Sequence, residues 1–244
     1  MAFPKALPPI DPAVEAAFLI DWVKNQILNV YKREGAVVGL SGGVDSAVSA
    51  AVSAKAVGID KGKILILPER ESNPIAEKLA LEMCNKFGFT WEKKDLTPMV
   101  EGFGVYRARD AVVRKYFPEY NGTQKWKLVQ PGNILEKDSI NFYSLKFFGG
   151  SGEQTKRIDV KDLRTIVGNT DVKHRMRMAA LYQAAESENR VVVGTTNLSE
   201  AAGGFFVKYG DGGVDLEPLS YLYKSHIYQI AKYLGVPEGI LSRK

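Results

Sequence analysis

Ala36-Val37-Val38-Gly39-Leu40-Ser41-Gly42-Gly43-Val44-Asp45-Ser46 is the stretch on which the fold turns. Its first half is an unbroken run of apolar and small residues, the pattern of a strand buried on both faces. A glycine pair then breaks the run. Residues 44–57 are rich in Ala, Val and Ser and read as a helix whose small side chains let it lie close on a sheet. Strand, tight turn and helix open a βαβ unit, which Ile64-Leu65-Ile66-Leu67 completes as a second buried strand closed by Pro68. Residues 74–87 give a further helix opening at Pro74, and Phe89 to Lys93 a third strand. Upstream, Asp11-Pro12 is a helix start, and Val14, Phe18, Trp22, Ile27, Val30 and Tyr31 follow helical spacing until Gly35 ends the helix. Residues 1–11 are Pro-rich and read as a loose arm. Downstream, the pattern gives a helix over 172–188, a strand from Arg190 to Val193, and helices over 197–203 and 224–234. The expectation is an α/β fold, a doubly wound parallel sheet with helices on both faces, forming a single domain over 1–244. Residues 102–170 hold 12 basic and 7 acidic residues with no clear period, and are expected to be an insertion, either a loop-rich excursion or a small subdomain.

Composition narrows the function. The chain has 244 residues, of which 45% are hydrophobic and 25% charged, which excludes disorder and fibrous classes. One cysteine, Cys84, excludes an internal disulfide, CxxC redox chemistry and Cys-cluster zinc. Two histidines, His174 and His226, are too few for a His-rich metal site. The net charge of +5 favours anionic ligands without demanding nucleic acid. No apolar run approaches the roughly 20 residues of a membrane span. A cytoplasmic protein free of membrane partners is expected. The ending Leu241-Ser242-Arg243-Lys244 carries no helix cap, so a truncated chain is expected.

Ser41-Gly42-Gly43-Val44-Asp45-Ser46 suits an anion cradle: backbone N–H groups freed by the glycines, two hydroxyls, and the positive end of the following helix. No GxxxxGK[ST] motif occurs, so the P-loop lysine is missing and charge must be neutralised from elsewhere. Asp45 beside a polyphosphate would be repulsive without a cation between them, which points to oxygen-ligated Mg²⁺. The plainer reading is a first-turn carboxylate favoured by the helix dipole. Gly39-Leu40-Ser41-Gly42-Gly43 also fits GxSxG, a nucleophile elbow, with Asp211 or Asp215 and His226 as partners. Against that stand the scant sheet preceding it, the idle Asp45 and the absence of an HGGG-type loop.

Val191-Val192-Val193-Gly194-Thr195-Thr196-Asn197-Leu198-Ser199-Glu200 repeats the strand, turn and helix pattern, with Thr196 or Asn197 as cap. Ligands bind outside the carboxyl ends of parallel strands, so 195–200 and 41–46 should face one crevice, with Glu200 able to meet Asp45 across a metal. A solvated Glu200 is the bland alternative. Gly204-Phe205-Phe206-Val207-Lys208-Tyr209-Gly210-Asp211-Gly212-Gly213-Val214-Asp215 reads as a polar irregular loop with an aromatic wall and an anion-contacting Lys208, or as a plain turn. Asp171-Val172-Lys173-His174-Arg175-Met176-Arg177-Met178 offers Arg175 or Lys173 to phosphates. Lys224 opens the last helix as a contact or as surface charge.

Together, SGGVDS at 41–46, VKHRMRMAALY at 172–182, GTTNLSE at 194–200, GFFVKYGDGGVD at 204–215 and Lys224 resemble the NAD synthetases of the PP-loop (N-type ATP pyrophosphatase) superfamily, over roughly residues 34–95 and 171–240. The resemblance implies an adenine nucleotide alpha hydrolase-like fold and a ligase activity. ATP adenylates the nicotinate carboxylate of deamido-NAD, pyrophosphate leaves, and ammonia displaces AMP to give NAD⁺. It implies ATP binding by Gly39, Ser41, Gly42, Gly43, Val44, Asp45, Ser46, Arg175, Thr195 and Lys224. Within that set Asp45, Lys224 and Arg175 are the expected catalytic residues, and Asp45 and Glu200 the Mg²⁺ ligands. Deamido-NAD falls to Tyr182, Lys208, Asp211 and Asp215. It further implies a homodimer using the first helix and helix 172–188. A Lys-containing loop and last helix should follow Lys244. With no glutaminase domain, nitrogen comes from free ammonia or from a separate donor protein. The chain departs from the pattern at Asp171, in place of Asn, and at Pro68-Glu69-Arg70-Glu71-Ser72, where an adenine loop with Tyr or Gln is usual.

Four other functions are open to these residues. They are a PP-loop amidotransferase for another carboxylate, a tRNA-modifying PP-loop enzyme with the insertion as RNA platform, a Ser41 hydrolase, and a non-catalytic nucleotide-binding module.

Overall fold

In the computed structural model, residues 9–130, 143–149 and 152–243 are described. They fall into two compact units, one formed by residues up to 97 with 174 onward, the other by 98–173. Most of the Pro-rich arm expected at 1–11, part of the expected insertion, and Lys244 lie outside the described residues.

The first unit is built on a four-stranded parallel sheet: β1 (Gly35–Gly39), β2 (Gly62–Ile66), β3 (Thr90–Lys93) and β7 (Arg190–Val193), in the order β3-β2-β1-β7. The chain steps outward from β1 to β3 and then returns to the opposite side of β1. The strand order therefore reverses between β1 and β7, and the crevice at their carboxyl ends is where open α/β sheets bind ligands. Alternation sorts the strand residues by face. Ala36, Val38, Ile64, Ile66, Val191 and Val193 join one core with α1 (Pro12–Asn25), α2 (Val44–Val57), α3 (Pro74–Phe87) and α8 (Lys224–Leu234). Val37, Leu65 and Val192 face the other way and are equally buried. There Leu181 of α6 (Val160–Ser187) approaches Gly39. Helices thus cover both faces, as expected.

Helix α2 is buried nearly all round, packed by α1, α8 and β1. Its alanines and serines allow that close approach, since any larger residue would push the layers apart. Caps fall where the sequence places them. Asp11 accepts from the Ala13 N–H at 2.8 Å with Pro12 at the first turn, and Asn73 accepts from the Ile75 N–H at 3.0 Å with Pro74 behind it. The buried stripe of α1 is Ala16, Leu19 and Val23, continued by Ile27 in the π-turn Gln26–Val30, whereas Val14, Phe18 and Val30 are exposed. One expectation at the start of the chain fails, that Gly35 ends the helix. Gly35 opens β1 instead, and a Cβ there would lie 2.1 Å from the Lys61 carbonyl oxygen.

Among its described residues, the stretch 102–170 carries regular elements. It carries α5 (Val105–Tyr116), an antiparallel sheet of β4 (Lys125–Val129), β5 (Ser144–Gly149) and β6 (Gly152–Arg157), and the first turns of α6, which begins 12 residues before the expected start at 172. The short helix α4 (Thr97–Gly102) precedes it. Val113, Phe117, Leu145, Phe147 and Ile166 form a core of its own, with Phe117 and Phe147 stacked at 4.8 Å. The period-2 signal was present in Trp126 and Leu128 and in Leu145 and Phe147, with a lysine between each pair, but two apolar positions make too short an alternation to stand out. Early α6 also disguises itself: Gly168, Asn169 and Thr170 are poor helix formers. Asn169 and Thr170 donate back to the carbonyls of Thr165 and Ile166, each at 2.8 Å, and so stay helical.

Candidate functional site

The turn between β1 and α2 is fixed by its own hydroxyls. Ser46 Oγ donates to the Gly43 carbonyl at 2.9 Å and accepts from the Ser41 N–H at 3.2 Å. Ser41 Oγ lies 3.1 Å from Ser46 Oγ and accepts from the Gly43 N–H at 3.3 Å. Gly42 is required, because its φ is +72° and a Cβ would sit 2.2 Å from the Ala76 carbonyl oxygen. Arg243 donates from Nη1 to the Gly42 carbonyl at 3.0 Å, a contact with no counterpart in any motif.

Val44 and Asp45 follow in the first turn of α2. Asp45 Oδ2 is paired with Lys224 Nζ at the start of α8. Its Oδ1 accepts from Asn197 Nδ2 at 3.3 Å. Asn197 is buried and caps α7 (Leu198–Gly203). Its Oδ1 accepts from the Glu200 N–H at 3.1 Å, and its own N–H donates to Glu200 Oε2 at 3.3 Å, a complete capping box. Asn197 therefore touches both Asp45 and Glu200 and holds the two carboxylates in one neighbourhood. Among the described residues no group of three or more His, Cys, Asp or Glu gathers as a metal cluster. Two hard oxygen donors suit Mg²⁺, which characteristically takes one or two carboxylates and completes its shell with phosphates and water.

A cavity of about 360 Å³ opens beside this cluster, within the roughly 300–1,000 Å³ typical of small-molecule pockets. Gly39 and Ser41 from the end of β1, Leu67 beyond β2, Thr195 beyond β7, and His174 and Asp211 line it. The two turns thus face one crevice, as the strand order demands. Pro68 and Ser72 of the divergent segment also line the cavity.

The remaining expected residues are spent on one another. Tyr182 OH donates to Asp215 Oδ1 at 2.9 Å, and Asp215 Oδ2 accepts from the Val192 N–H at 2.8 Å. Burial, helped by the Asp215 charge, pushes the Tyr182 phenol well above its ordinary range. Arg175 Nε donates to the Lys208 carbonyl at 3.2 Å, and Lys208 Nζ lies 4.9 Å from the Tyr209 ring. Lys173 is buried, with Nζ 5.1 Å from the Tyr106 ring. Asp211 accepts from the Val207 N–H at 2.9 Å and lies 3.4 Å from His174 Nδ1. Burial raises its carboxyl, but the His174 and Val207 bonds outweigh that and hold it below the usual range. The expected aromatic wall is open, since Phe205 is 81% exposed. The partners of Ser41 are Ser46 and Gly43, while Asp211 meets His174 and Asp215 meets Tyr182, so the elbow and its expected acids are not joined into a triad. Cys84 is buried and its thiol is pushed up to about 11 by desolvation, which makes it inert.

Sequence reasoning overlooked Glu217. Its Oε2 accepts from the Thr196 N–H at 3.0 Å and its Oε1 from Thr196 Oγ1 at 2.8 Å. Burial pushes this carboxyl up to about 7, against the Thr196 bonds and with help from the Asp211 and Glu200 charges. A lone Glu before Pro218 carries no motif that would have exposed it.

Comparison with known proteins agrees with this geometry. The family model described as NAD synthase matches residues 15–121 and 137–244, passing over the segment that holds β4. The NH(3)-dependent NAD(+) synthetase of Rhizobium meliloti is 39% identical over 96% of this chain and 70% of its own length. That of Thermotoga maritima is 36% identical over 92% of this chain and 74% of its own. Among solved structures, NMN synthetase from Francisella tularensis superposes with a TM-score of 0.68 at 26% identity, covering 96% of this chain and 75% of that one. The NH3-dependent NAD synthetase of Campylobacter jejuni does so at 0.66 and 22%, covering 95% and 77%, which supports the fold. On a sheet whose two glycine-marked strand ends share a single cavity, these likenesses over nearly the whole chain place it in the NAD synthase family.

Proposed function

We propose that the chain catalyses the ATP-dependent amidation of deamido-NAD by ammonia. An oxygen of the nicotinate carboxylate attacks the α-phosphorus of ATP, and the bond to pyrophosphate breaks. The lone pair of ammonia then attacks the acyl carbon of the resulting mixed anhydride. AMP departs with the bridging oxygen, and loss of a proton from nitrogen leaves the amide of NAD⁺. Such chemistry needs positioning and charge neutralisation more than proton transfer. The observation that carries this reading is the bond from Asn197 to Asp45, which joins the SGGVDS turn to the capping box of Glu200.

Roles follow from place. The turn Gly39 to Ser46 would receive the phosphates on its N–H and hydroxyl groups, with Thr195, Lys224 and Arg175 adding contacts to phosphates or ribose. Asp45 and Glu200 would hold Mg²⁺, whose chemistry is to neutralise the triphosphate. Lys224 would then exchange a carboxylate for a phosphate as its partner. Lys208, Asp211, Tyr182 and Asp215 would meet deamido-NAD. A carboxylate has more lone pairs than its present bonds use, so Asp215 and Asp211 can accept further donors without releasing their present partners.

A homodimer belongs to the same reading, supported by Val14, Phe18 and Val30 exposed on and just after α1. A cytoplasmic setting belongs to the same reading. No helix among the described residues is long and apolar enough to cross a membrane.

The test is a reaction containing ATP, Mg²⁺, ammonium and either deamido-NAD or nicotinate mononucleotide, the second acid chosen because one solved relative is named NMN synthetase. Chromatography should show AMP and NAD⁺ formed in equal amounts with deamido-NAD. Preference for the mononucleotide would reassign the acceptor. Tight ATP binding with no AMP from either acid would overturn the reading.

A further inference from the structure

Asp215, Leu216 and Glu217 run beside the end of β7 as a short parallel extension of the sheet. Leu216 bridges Val193, the N–H groups of Asp215 and Leu216 donate to the Val192 carbonyl at 3.0 and 3.3 Å, and the Gly194 N–H donates to the Leu216 carbonyl at 2.7 Å. Asp215 and Glu217, two residues apart, both accept hydrogen bonds from the end of β7 and the turn beyond it. Asp215 takes the Val192 N–H, and Glu217 takes both the N–H and the hydroxyl of Thr196. From α2, Ser49 Oγ donates to the Gly194 carbonyl at 2.9 Å. A Cβ at Gly194 would lie 2.5 Å from the Glu217 carboxyl carbon, so the glycine and the acid are fitted to each other. The turn Gly194-Thr195-Thr196 is thus tied from behind on both sides of Thr195, which lines the cavity.

We propose that Glu217 is a positioning residue of the nucleotide site: its two bonds to Thr196 fix the turn that presents Thr195 to ATP. A neutral side chain of the same shape could fill this space, but only a carboxylate offers two acceptor oxygens and no donor, matching the two donors of Thr196. Its partial burial is costly for a charge, as its raised pKa records, which argues against idle filling. The inference rests on the ATP-dependent reading above.

The experiment measures calorimetric affinity for Mg·ATP and, separately, for deamido-NAD in the wild type, Glu217→Ala, Glu217→Gln and Thr196→Val, each with circular dichroism as a check of folding. Glu217→Ala should weaken Mg·ATP by about tenfold, the scale of a lost charged hydrogen bond, while deamido-NAD affinity stays unchanged. Glu217→Gln should recover part of the loss, because its amide oxygen still accepts the Thr196 N–H. Thr196→Val should lose less than Glu217→Ala. A folded Glu217→Ala that binds Mg·ATP like the wild type, or loses both ligands equally, overturns the proposal. If Glu217→Ala does not fold, unchanged Mg·ATP affinity in both Glu217→Gln and Thr196→Val overturns it instead. Should the wild type bind Mg·ATP yet form no NAD⁺, the functional reading falls while the result for Glu217 stands.

Discussion

Lys224 Nζ, at the first turn of α8, is paired with Asp45 Oδ2, at the first turn of α2. The cation covers the carboxylate proposed for the metal, so charge is balanced at the mouth of the turn before any nucleotide arrives. Under the proposed function the same ammonium would then be at hand for a phosphate oxygen. The pair also means that removing either member leaves the other partly buried and less compensated.

Lys224→Met should therefore lower kcat/KM for ATP by about 10²–10³, the cost of one preorganised charge at a reacting centre. Asp45→Asn should cost as much or more. The double variant should be no worse than Asp45→Asn, because the two residues act as a unit. Steady-state kinetics at saturating deamido-NAD measures all three. Independent, additive losses would separate the two residues.

Asn197 offers a sharper contrast. Asn197→Ala should cost about 1 kcal/mol of stability through the lost cap and should also weaken Mg²⁺-dependent ATP binding. Asn197→Asp keeps the cap but sets another carboxylate against Asp45, so its stability should recover as Mg²⁺ is added. Thermal melts with and without Mg²⁺ distinguish the two, and equal metal response would count against a carboxylate neighbourhood at this point.

Tyr182→Phe removes the phenol that Asp215 accepts. Expected is a loss of about 1–3 kcal/mol from a partly unsatisfied carboxylate, with a rise in KM for deamido-NAD and little change in KM for ATP. A selective rise in KM for ATP would place Asp215 in the other half of the site.

Glu217 sets a pH dependence whose sign is fixed. Its native pKa is raised to about 7 from an ordinary 4.5, chiefly by burial. The native state therefore holds a proton that the unfolded chain releases. That stabilisation is fully present below the ordinary value and is lost as pH climbs through the native one. Between pH 5 and 8 the wild type should lose about 1 kcal/mol relative to Glu217→Gln, allowing for solvent screening of a partly exposed group. Denaturant titrations of both proteins across that range check it. A constant difference would mean that Glu217 titrates normally.

Gly42→Ala tests the turn itself. A positive φ and a collision with the Ala76 carbonyl should together cost about 2–4 kcal/mol and abolish ATP binding in whatever folds. Wild-type melting would show that the turn can rearrange around a side chain.

The parallel sheet was readable because each of its central strands is a short apolar run cut off by Gly or Pro, and both glycine turns announced themselves. The buried face of α1 was not legible: Val14 and Phe18 are more conspicuous than Ala16, yet the small residue is the one packed inside. Residues 98–173 hid their strands because each apolar alternation there is only two positions long. At the site, Asp45, Glu200, Thr195 and Lys224 each stood in a motif. Glu217 and Arg243 stood in none, because their partners, the N–H and hydroxyl of Thr196 and the carbonyl of Gly42, belong to turns elsewhere in the chain, and no local pattern records such a contact.

Asp45 lies 152 residues before Asn197 and 179 before Lys224. During synthesis the SGGVDS turn emerges early and waits, with a solitary carboxylate and no β7 alongside β1, until the last quarter of this sequence has left the ribosome. Such distant pairings are slow to close. Nascent chains should consequently be blind to ATP until β7 and α8 have both emerged. Capture on an immobilised nucleotide should begin only once α8 is free to fold, giving a direct clock for completion of the sheet.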